Sequence, residues 1–269
     1  MKRLLRWLFL STFVVYSLVP IIIVVFTSLK TPEEMFVNII APPTSFYLGN
    51  YINVWVVAQF WRFFLNSLII AVPTVLIVIV CSIFAGFAFA KLKFFGSNVI
   101  FLIFLIGLVL PLPSIMIPIY VNLAKLGLLN THLGVILTQV AIDLPFGIFL
   151  MRSFFADIPE DILESARIDG ATEFTIIRRM MIPLARPVIG ALILIEFMWA
   201  WQSYLVPLFI ITKDSAKPLT VAMSMFVGRY STSYTNIAAA AVIVFIPISI
   251  VFIFTQRKFI QGLTMGYNK

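Results

Sequence analysis

Long apolar runs separated by short polar segments dominate the order of residues along the chain. Six runs reach roughly the 20 residues that a helix needs to cross a bilayer core of about 30 Å. They cover residues 7–29, 63–90, 99–119, 133–151, 187–211 and 237–255. None shows the period-two alternation of a membrane barrel strand. Because helices also satisfy their own backbone in lipid, the pattern predicts an all-α membrane protein with six transmembrane helices.

Basic residues are distributed unevenly between the two sides that these spans define. Thirteen Lys and Arg residues lie on the side of the amino terminus, against six on the other side. Since basic residues accumulate in cytoplasmic connections, both termini are predicted to be cytoplasmic. The first run follows Lys2, Arg3 and Arg6 but is longer than the apolar part of a signal peptide, which has about 7–15 residues. We therefore expect it to be a retained span.

The composition excludes several classes of protein. Hydrophobic residues make up 62% of the chain, charged residues only 11%, and the mean hydropathy is +1.09. Soluble domains have about 45–50% apolar and about 25% charged residues. The net charge of +8 is interpreted as membrane-orientation charge and not as a nucleic-acid surface. One Cys and one His exclude an intrachain disulfide and a His/Cys metal site. His132 is expected to be exposed at a helix end.

The connection over residues 152–186 differs from the others in length and charge. It is the longest cytoplasmic connection, and it holds six of the eleven acidic residues. Pro159 suits the start of a helix, and Gly170 suits a left-handed turn at its end. Thr172 is a candidate cap for a second helix, which Pro183 is expected to stop. The pattern predicts a helix, a glycine turn and another helix outside the bilayer.

Two interpretations of this connection remain open from the pattern alone. It is either an amphipathic connector that tethers two spans, or a docking element for a soluble partner. Ser165 and Ala166 are small enough for close approach, and the charges of Glu164, Arg167 and Asp169 lie beside them.

The same connection resembles the coupling motif of permease subunits in binding-protein-dependent ABC importers. That motif reads Glu-Ala-Ala, three residues, Gly, nine residues, Ile, one residue, Leu-Pro. Four residues match it: Glu164, Ala166, Gly170 and Pro183. Three depart from it with similar size or apolarity: Ser165, Met180 and Ile182. The resemblance implies that this segment couples the spans to an ATPase.

Further segments are similar to the maltose-type carbohydrate branch, in particular to the second permease of the pair. They are residues 144–146, 152–155, 158–159, 199–208 and 259–266, so the likeness covers roughly residues 63–269. The implied organisation is one permease domain over 1–269 with the type I importer fold. Its parts are core helices 2–6 at 63–258, the coupling loop at 152–186 and a cytoplasmic tail at 259–269.

The resemblance also implies partners and a function. No Gly is followed by Lys, so the chain lacks the phosphate-binding sequence G-x-x-x-x-G-K-[ST]. ATP and Mg²⁺ are expected on a partner, and no cofactor, catalytic residue or metal site is expected on this chain. The expected partners are a homologous second permease, a cytoplasmic ATPase dimer, an extracytoplasmic solute-binding protein and membrane lipid. The expected location is the plasma membrane of a prokaryote, and the expected cargo is a mono-, di- or oligosaccharide.

Two alternatives to sugar import remain. One is an ABC importer permease for glycerol phosphates or amino acids. The other is a proton-driven secondary transporter that uses two acidic residues within the spans, Asp143 and Glu196. Such a transporter would not need a soluble ATPase.

Polar residues within the fourth and fifth runs are candidates for the substrate pathway. Helical spacing predicts one polar and aromatic face from Glu196, Trp199 and Ser203. Asp143 precedes Pro145, which frees a backbone carbonyl and can open a polar pocket. A structural role, or for Glu196 a pairing with the second permease, remains the alternative at these positions.

Other segments have a less specific interpretation. Three prolines in the third run predict a kink or re-entrant turn: Pro111, Pro113 and Pro118. Aromatic residues of the first outer loop fit an interfacial belt: Tyr47, Tyr51, Trp55 and Trp61. Residues 213–236 are either a solvated loop or a contact for the solute-binding protein. The tail at 259–269 contains glycines that argue against a long helix, and it is either frayed or regulatory.

Overall fold

The computed structural model describes residues 2–227 and 233–265. These residues form helices joined by short loops, which confirms the prediction of an all-α protein. Among these described residues, four helices are long and apolar enough to cross a membrane, and up to six spans result if each of two bent helix pairs counts as one.

The first half of the chain contains six α-helices. They are α1 (Lys2–Ser28), α2 (Pro32–Val37), α3 (Gly49–Ile52), α4 (Phe60–Lys91), α5 (Ser97–Val109) and α6 (Leu112–Lys125). A π-helical turn, Asn53–Val57, follows α3.

The second half contains eight more α-helices. They are α7 (His132–Ala156), α8 (Glu160–Ile168), α9 (Glu173–Ile176), α10 (Ile182–Leu184), α11 (Arg186–Gln202), α12 (Leu205–Ile210), α13 (Leu219–Ala222) and α14 (Tyr234–Met265). Shorter helical turns are a π-helical turn at Ile177–Met181 and 3-10 turns at Asp214–Ala216 and Met223–Phe226.

The chain divides into two compact units. The first comprises Met1–Leu65 and Leu219–Pro247, and the second comprises Asn66–Pro218 and Ile248–Lys269. The coupling segment and the polar residues of the fourth and fifth runs all belong to the second unit.

The third apolar run is broken near its middle, as its prolines predict. Helices α5 and α6 meet at an angle of 108°. Leu110 and Pro111 between them have extended backbone, with ψ of 122° at both. A residue before proline is disfavoured in the helical conformation, so Pro111 accounts for the extended backbone of Leu110 and hence for the break. Pro113 lies in the first turn of α6, where a proline is well tolerated.

The fifth apolar run, predicted as one helix over 187–211, is also broken, and that prediction is wrong. Helix α11 ends at Gln202, Ser203 has a ψ of 121°, and α12 begins at Leu205. Pro207 explains the break, because a proline ring clashes with the carbonyl four residues earlier, here that of Ser203.

Two predicted helix ends also need correction. Pro183 does not stop the second helix of the coupling segment, because it lies in the first turn of α10, where the missing N–H costs little. The helical path ends one residue later, at Leu184. Helix α14 continues through Gly262 to Met265, contrary to the expectation for the tail, since one glycine costs a helix only about 1 kcal/mol. Residues 266–269 of the tail, and 228–232 of the outer segment, lie outside the described residues.

The connection between α1 and α4, predicted only as an interfacial aromatic belt, is an ordered loop held by side-chain hydrogen bonds. Lys30 is 0% exposed, and its Nζ donates to the carbonyls of Asn38 (2.7 Å) and Ile39 (3.1 Å). The side-chain amide of Asn50 donates to the carbonyls of Ser28 and Lys30. These bonds satisfy backbone acceptors that a loose loop would leave to water.

A buried apolar cluster in the second unit holds four helices together. Its members come from α4, α6, α7 and α12: Ile70, Met116, Leu123, Val135, Ile136, Val206 and Ile210. Beside it, His132 is half-buried, and its Nε2 lies 3.1 Å from the carbonyl oxygen of Ala216. The expectation that His132 would be exposed is therefore wrong, because the residues after α12 fold back over the start of α7.

Candidate functional site

Helix α8 and the turn after it carry the first part of the coupling motif. Glu160 and Asp161 occupy its first turn and Arg167 its last, which suits the helix dipole. Gly170 follows with a φ of +83°. Its N–H donates to the carbonyl of Arg167, and that of Ala171 donates to Ala166, both at 3.0 Å. This pair of bonds is a Schellman cap, which explains the requirement for glycine.

The motif residues differ in their exposure. Glu164, Ser165, Asp169 and Gly170 are exposed, and Ala166 and Arg167 are half-buried. A Cβ placed on Gly170 would meet no atom of this chain within 4 Å, so the outer side of the turn is open. Pro183 is separate from this surface, because it lies in α10 and is half-buried.

Arg167 points back into the segment and joins its two helices. Its Nη1 lies 3.0 Å from Glu160, and its Nε lies 2.8 Å from Glu173 at the start of α9. The bond from Arg167 and the nearby charge of Lys91 hold the pKa of Glu160 below its usual range. The carboxylates of Glu173 and Glu160 in turn raise the pKa of Arg167. The segment is therefore braced by charge pairs around one guanidinium.

An apolar surface beside the motif was missed in the sequence analysis. Ile168 is 86% exposed, and Ile162 and Phe174 are also exposed, whereas Leu163 is fully buried. The signal was present in the spacing, because Ile168 follows Leu163 by five residues and so lies well away from its face of the helix. Exposed apolar side chains beside a glycine turn are typical of a protein contact surface.

A chain of hydrogen bonds links α7 to the residues after α11. Gln139 donates from its amide to Asp143 Oδ2 at 2.8 Å, and its carbonyl oxygen accepts from Ser203 Oγ at 2.9 Å. The structure thus brings together Asp143 and Ser203, two of the four pathway candidates. Gln139 was not a candidate, although its position four residues before Asp143 on the same helix face indicated the contact.

Glu196 lies in the packed contact between α7 and α11. It is 0% exposed, and neither of its carboxyl oxygens has a hydrogen-bond partner among the residues that the structure describes. It is close enough to Asp143 to interact with it electrostatically. A partner subunit has no access to Glu196 in this conformation.

The predicted face of Glu196, Trp199 and Ser203 does not form. Trp199 is 43% exposed and meets the ring of Phe146 edge-on, with centroids 4.9 Å apart. Ser203 lies beyond the end of α11, where the helical spacing no longer applies. The exposed Trp199 ring and the buried carboxyls of Asp143 and Glu196 are therefore separate features.

Within residues 2–227 and 233–265, no group of three or more His, Cys, Asp and Glu side chains is placed to hold a metal ion.

Comparisons with known proteins give a consistent assignment. The family model "Binding-protein-dependent transport system inner membrane component" matches residues 78–265, more than half of the chain. The osmoprotective compounds uptake permease protein GgtD of Synechocystis is 38% identical over 228 residues, 84% of this chain and 76% of that protein. The arabinooligosaccharides transport system permease protein AraQ of Halalkalibacterium halodurans is 32% identical over 277 residues, 99% of each chain.

A solved structure shows the same fold. It is a chain from the crystal structure of a bacterial ABC transporter involved in the import of the acidic polysaccharide alginate. The TM-score is 0.83 with 23% identity, and the match covers 96% of both chains. The fold thus occurs in a membrane transporter.

Proposed function

Because the chain belongs to the inner-membrane components of binding-protein-dependent transport systems, we propose that it is the permease subunit of an ATP-driven sugar importer. It forms half of the translocation pathway and couples to a separate ATPase. The cargo is a mono-, di- or oligosaccharide. Similarity to an arabinooligosaccharide permease over 99% of both chains supports this cargo over glycerol phosphates or amino acids.

The observation that carries the coupling role is the exposed surface of α8 and its glycine turn. It combines an open left-handed turn at Gly170, polar motif residues and the exposed side chain of Ile168. We propose that this surface docks into a groove of the ATPase. ATP and Mg²⁺ bind to the partner ATPase and not to this chain. Closure of the two ATPase subunits then moves the docked segment.

The remaining partners follow from the same proposal. A homologous second permease completes the pathway, and a solute-binding protein delivers the sugar from outside the cell. The excess of thirteen basic residues against six supports an inner-membrane orientation with both termini in the cytoplasm. In this orientation α8 faces the cytoplasm, where an ATPase can reach it. The tail at 259–269 is a further candidate contact with the ATPase.

The pathway residues remain part of the proposal. The exposed ring of Trp199, held edge-on by the half-buried Phe146, offers a surface on which a sugar can stack. Asp143 and Glu196 are buried in this conformation, and Ser203 is half-buried. The two carboxyls become available to substrate only when α7 and α11 separate. Alternating access by rigid-body movement of helices provides such a separation.

The buried carboxyl pair also fits a second candidate function, proton-driven transport. Acidic residues within spans are typical of proton carriers, and Asp143 and Glu196 are close enough to interact electrostatically. The two functions differ in their need for an ATPase. A test of whether the chain binds an ATPase therefore distinguishes ATP-driven import from proton-driven transport.

The docking surface is tested with a matched pair of substitutions. Ile168→Asp puts a charge on the proposed contact, and Ile40→Asp makes the same change at an isoleucine that is 70% exposed in the first connection. In the complex purified with its neighbouring gene products, Ile168→Asp should lose the ATPase, whereas Ile40→Asp should retain it. Equal retention of the ATPase by both variants would overturn the proposal.

A further inference from the structure

The carboxyl end of α4 is attached to the segment formed by residues 158–174, which we call the α8–α9 segment. Lys91, the last residue of α4, donates from Nζ to the carbonyl of Ile158 at 2.5 Å. The same Nζ lies 3.5 Å from a carboxyl oxygen of Glu160, and the Lys91 side chain is only 6% exposed. A cation at this end also interacts favourably with the dipole of α4.

A ring contact lies two helical turns earlier on the same face of α4. Phe84 precedes Lys91 by seven residues, and its ring stacks on that of Phe174, with centroids 6.3 Å apart and an angle of 8°. Between them, Phe87 meets Phe155 of α7 edge-on at 6.2 Å. One stripe of α4 therefore packs against both the end of α7 and the α8–α9 segment.

The α8–α9 segment is braced internally, so a displacement of one of its helices is shared by the other. Arg167 pairs with Glu160 in α8 and with Glu173 in α9. Glu160 also approaches Lys91, so the charges form one continuous network from the glycine turn to α4. Networks of this kind are more effective than isolated surface ion pairs.

The covalent connections of the segment to its neighbouring spans are less direct. The chain between α7 and α8 passes through Pro159, which has extended backbone with a ψ of 138°. At the other end, the axis turns by 79° at Ala185 before α11 begins. Helix α4, in contrast, is one helix of 32 residues, and no proline interrupts it between Pro73 and its contact with the segment.

We propose that Phe84 and Lys91 are positioning residues through which movement of the α8–α9 segment enters the membrane-spanning helices. Helix α4 and the segment move as one body, although they are far apart in the sequence. The inference rests on the proposed function, because an ATPase must supply the movement.

The first test uses Lys91→Met, with Lys93→Met as the matched control and Lys91→Arg as the conservative rescue. Lys93 is exposed and follows Lys91 by two residues. The measurement is sugar imported per ATP hydrolysed by the assembled complex in proteoliposomes. Lys91→Met should lower this ratio by about threefold or more, while Lys93→Met and Lys91→Arg leave it near the wild-type value.

A purely structural role for Lys91 gives a different result. Loss of folding or assembly lowers import and ATP hydrolysis together, so their ratio stays constant. An unchanged ratio in Lys91→Met would therefore overturn the inference, whatever the yield of the complex. Wild-type complex that fails to import with ATP would instead overturn the proposed function, and the inference with it.

The second test replaces the ring stack by a covalent link. Phe84→Cys and Phe174→Cys are combined in a Cys81→Ala background, because Cys81 is itself an exposed thiol. Without a link the ratio of import to hydrolysis should fall, and a short bis-maleimide bridge should restore it. If the bridge leaves the ratio low or blocks import, α4 and the segment move relative to each other, and the inference fails.

Discussion

Gly170 adopts a φ of +83°, at which a residue with a Cβ is strained by about 1 kcal/mol. Gly127, in the loop between α6 and α7, has a φ of +68° and likewise has open space where a Cβ would lie. The two glycines therefore share the same backbone requirement. Only Gly170 belongs to the proposed contact with an ATPase.

This pairing gives a prediction for two alanine variants. Gly170→Ala and Gly127→Ala should lower thermal stability by similar amounts, since the strain is the same. Import per ATP hydrolysed should fall by at least about twofold in Gly170→Ala and remain unchanged in Gly127→Ala. A similar loss of coupling in both variants would show that strain alone, and not the position of the turn, is responsible.

A second residue-scale prediction concerns the buried carboxyls. Asp143 accepts a hydrogen bond from Gln139, so Asp143→Ala leaves a buried donor unpaired at a cost of about 1–3 kcal/mol. Glu196 accepts none from the described residues, so Glu196→Gln removes a carboxyl without breaking such a bond. Thermal unfolding of the purified subunit should show a lower midpoint for Asp143→Ala and an equal or higher one for Glu196→Gln. A large loss in Glu196→Gln would contradict this arrangement.

At the scale of elements, α8 and α9 are joined by a charge network whose strength depends on pH. The pKa of Glu160 is below its ordinary value of 4.5, chiefly because Arg167 donates to it. Above about pH 4.5 the Glu160 carboxyl is ionised in both the folded and the unfolded chain, and its stabilisation of the segment is then fully present. The contribution is lost as the pH falls through the lower pKa of the folded state.

The prediction is a pH-dependent difference between wild type and Glu160→Gln. The difference in melting temperature should be small, since Glu160 is largely exposed, and constant between pH 7 and about 5. It should shrink as the pH falls below about 4.5 and disappear once the pH is below the lowered pKa of Glu160 in the folded state. Asp161→Asn changes the exposed neighbouring carboxylate and serves as the control. A difference in melting temperature between wild type and Glu160→Gln that grows toward acid pH would contradict a stabilising role of the ionised Glu160 carboxyl.

The sequence predicted the apolar elements well because span length is set by bilayer thickness. The break at Pro111 was predictable because it depends on local backbone geometry. The break at Ser203 also depends on a local proline, Pro207, but the high overall apolarity of residues 187–211 concealed it. The extension of α14 was missed because one glycine was given more weight than its cost of about 1 kcal/mol supports.

The candidate site was predictable only in part, for a physical reason. Helix α8 and its cap at Gly170 depend only on residues that are close together in the sequence, so both could be predicted. The burial of Glu196 and the exposure of Trp199 depend on packing between α7 and α11. Helices that are apolar on all sides give no periodic signal for which face is buried. The links from Lys91 and Phe84 to residues 158–174 are long-range contacts and carry no sequence signature.

At the scale of the whole molecule, the chain provides spans and a proposed docking surface, and its sequence holds no G-x-x-x-x-G-K-[ST] phosphate-binding motif. It belongs to a family of transport components that work with a binding protein. We therefore propose that the energy source is a separate subunit. A proton-driven transporter with the same spans would carry its energy coupling within the membrane, on Asp143 and Glu196.

The most direct measurement is sugar uptake into proteoliposomes that contain the purified complex, with a sugar-loaded binding protein outside and ATP inside. Uptake should require both components, stop with vanadate and persist when an ionophore removes the proton gradient. Uptake that survives vanadate and collapses with the proton gradient would contradict the claim that this chain works as the membrane half of an ATP-driven importer.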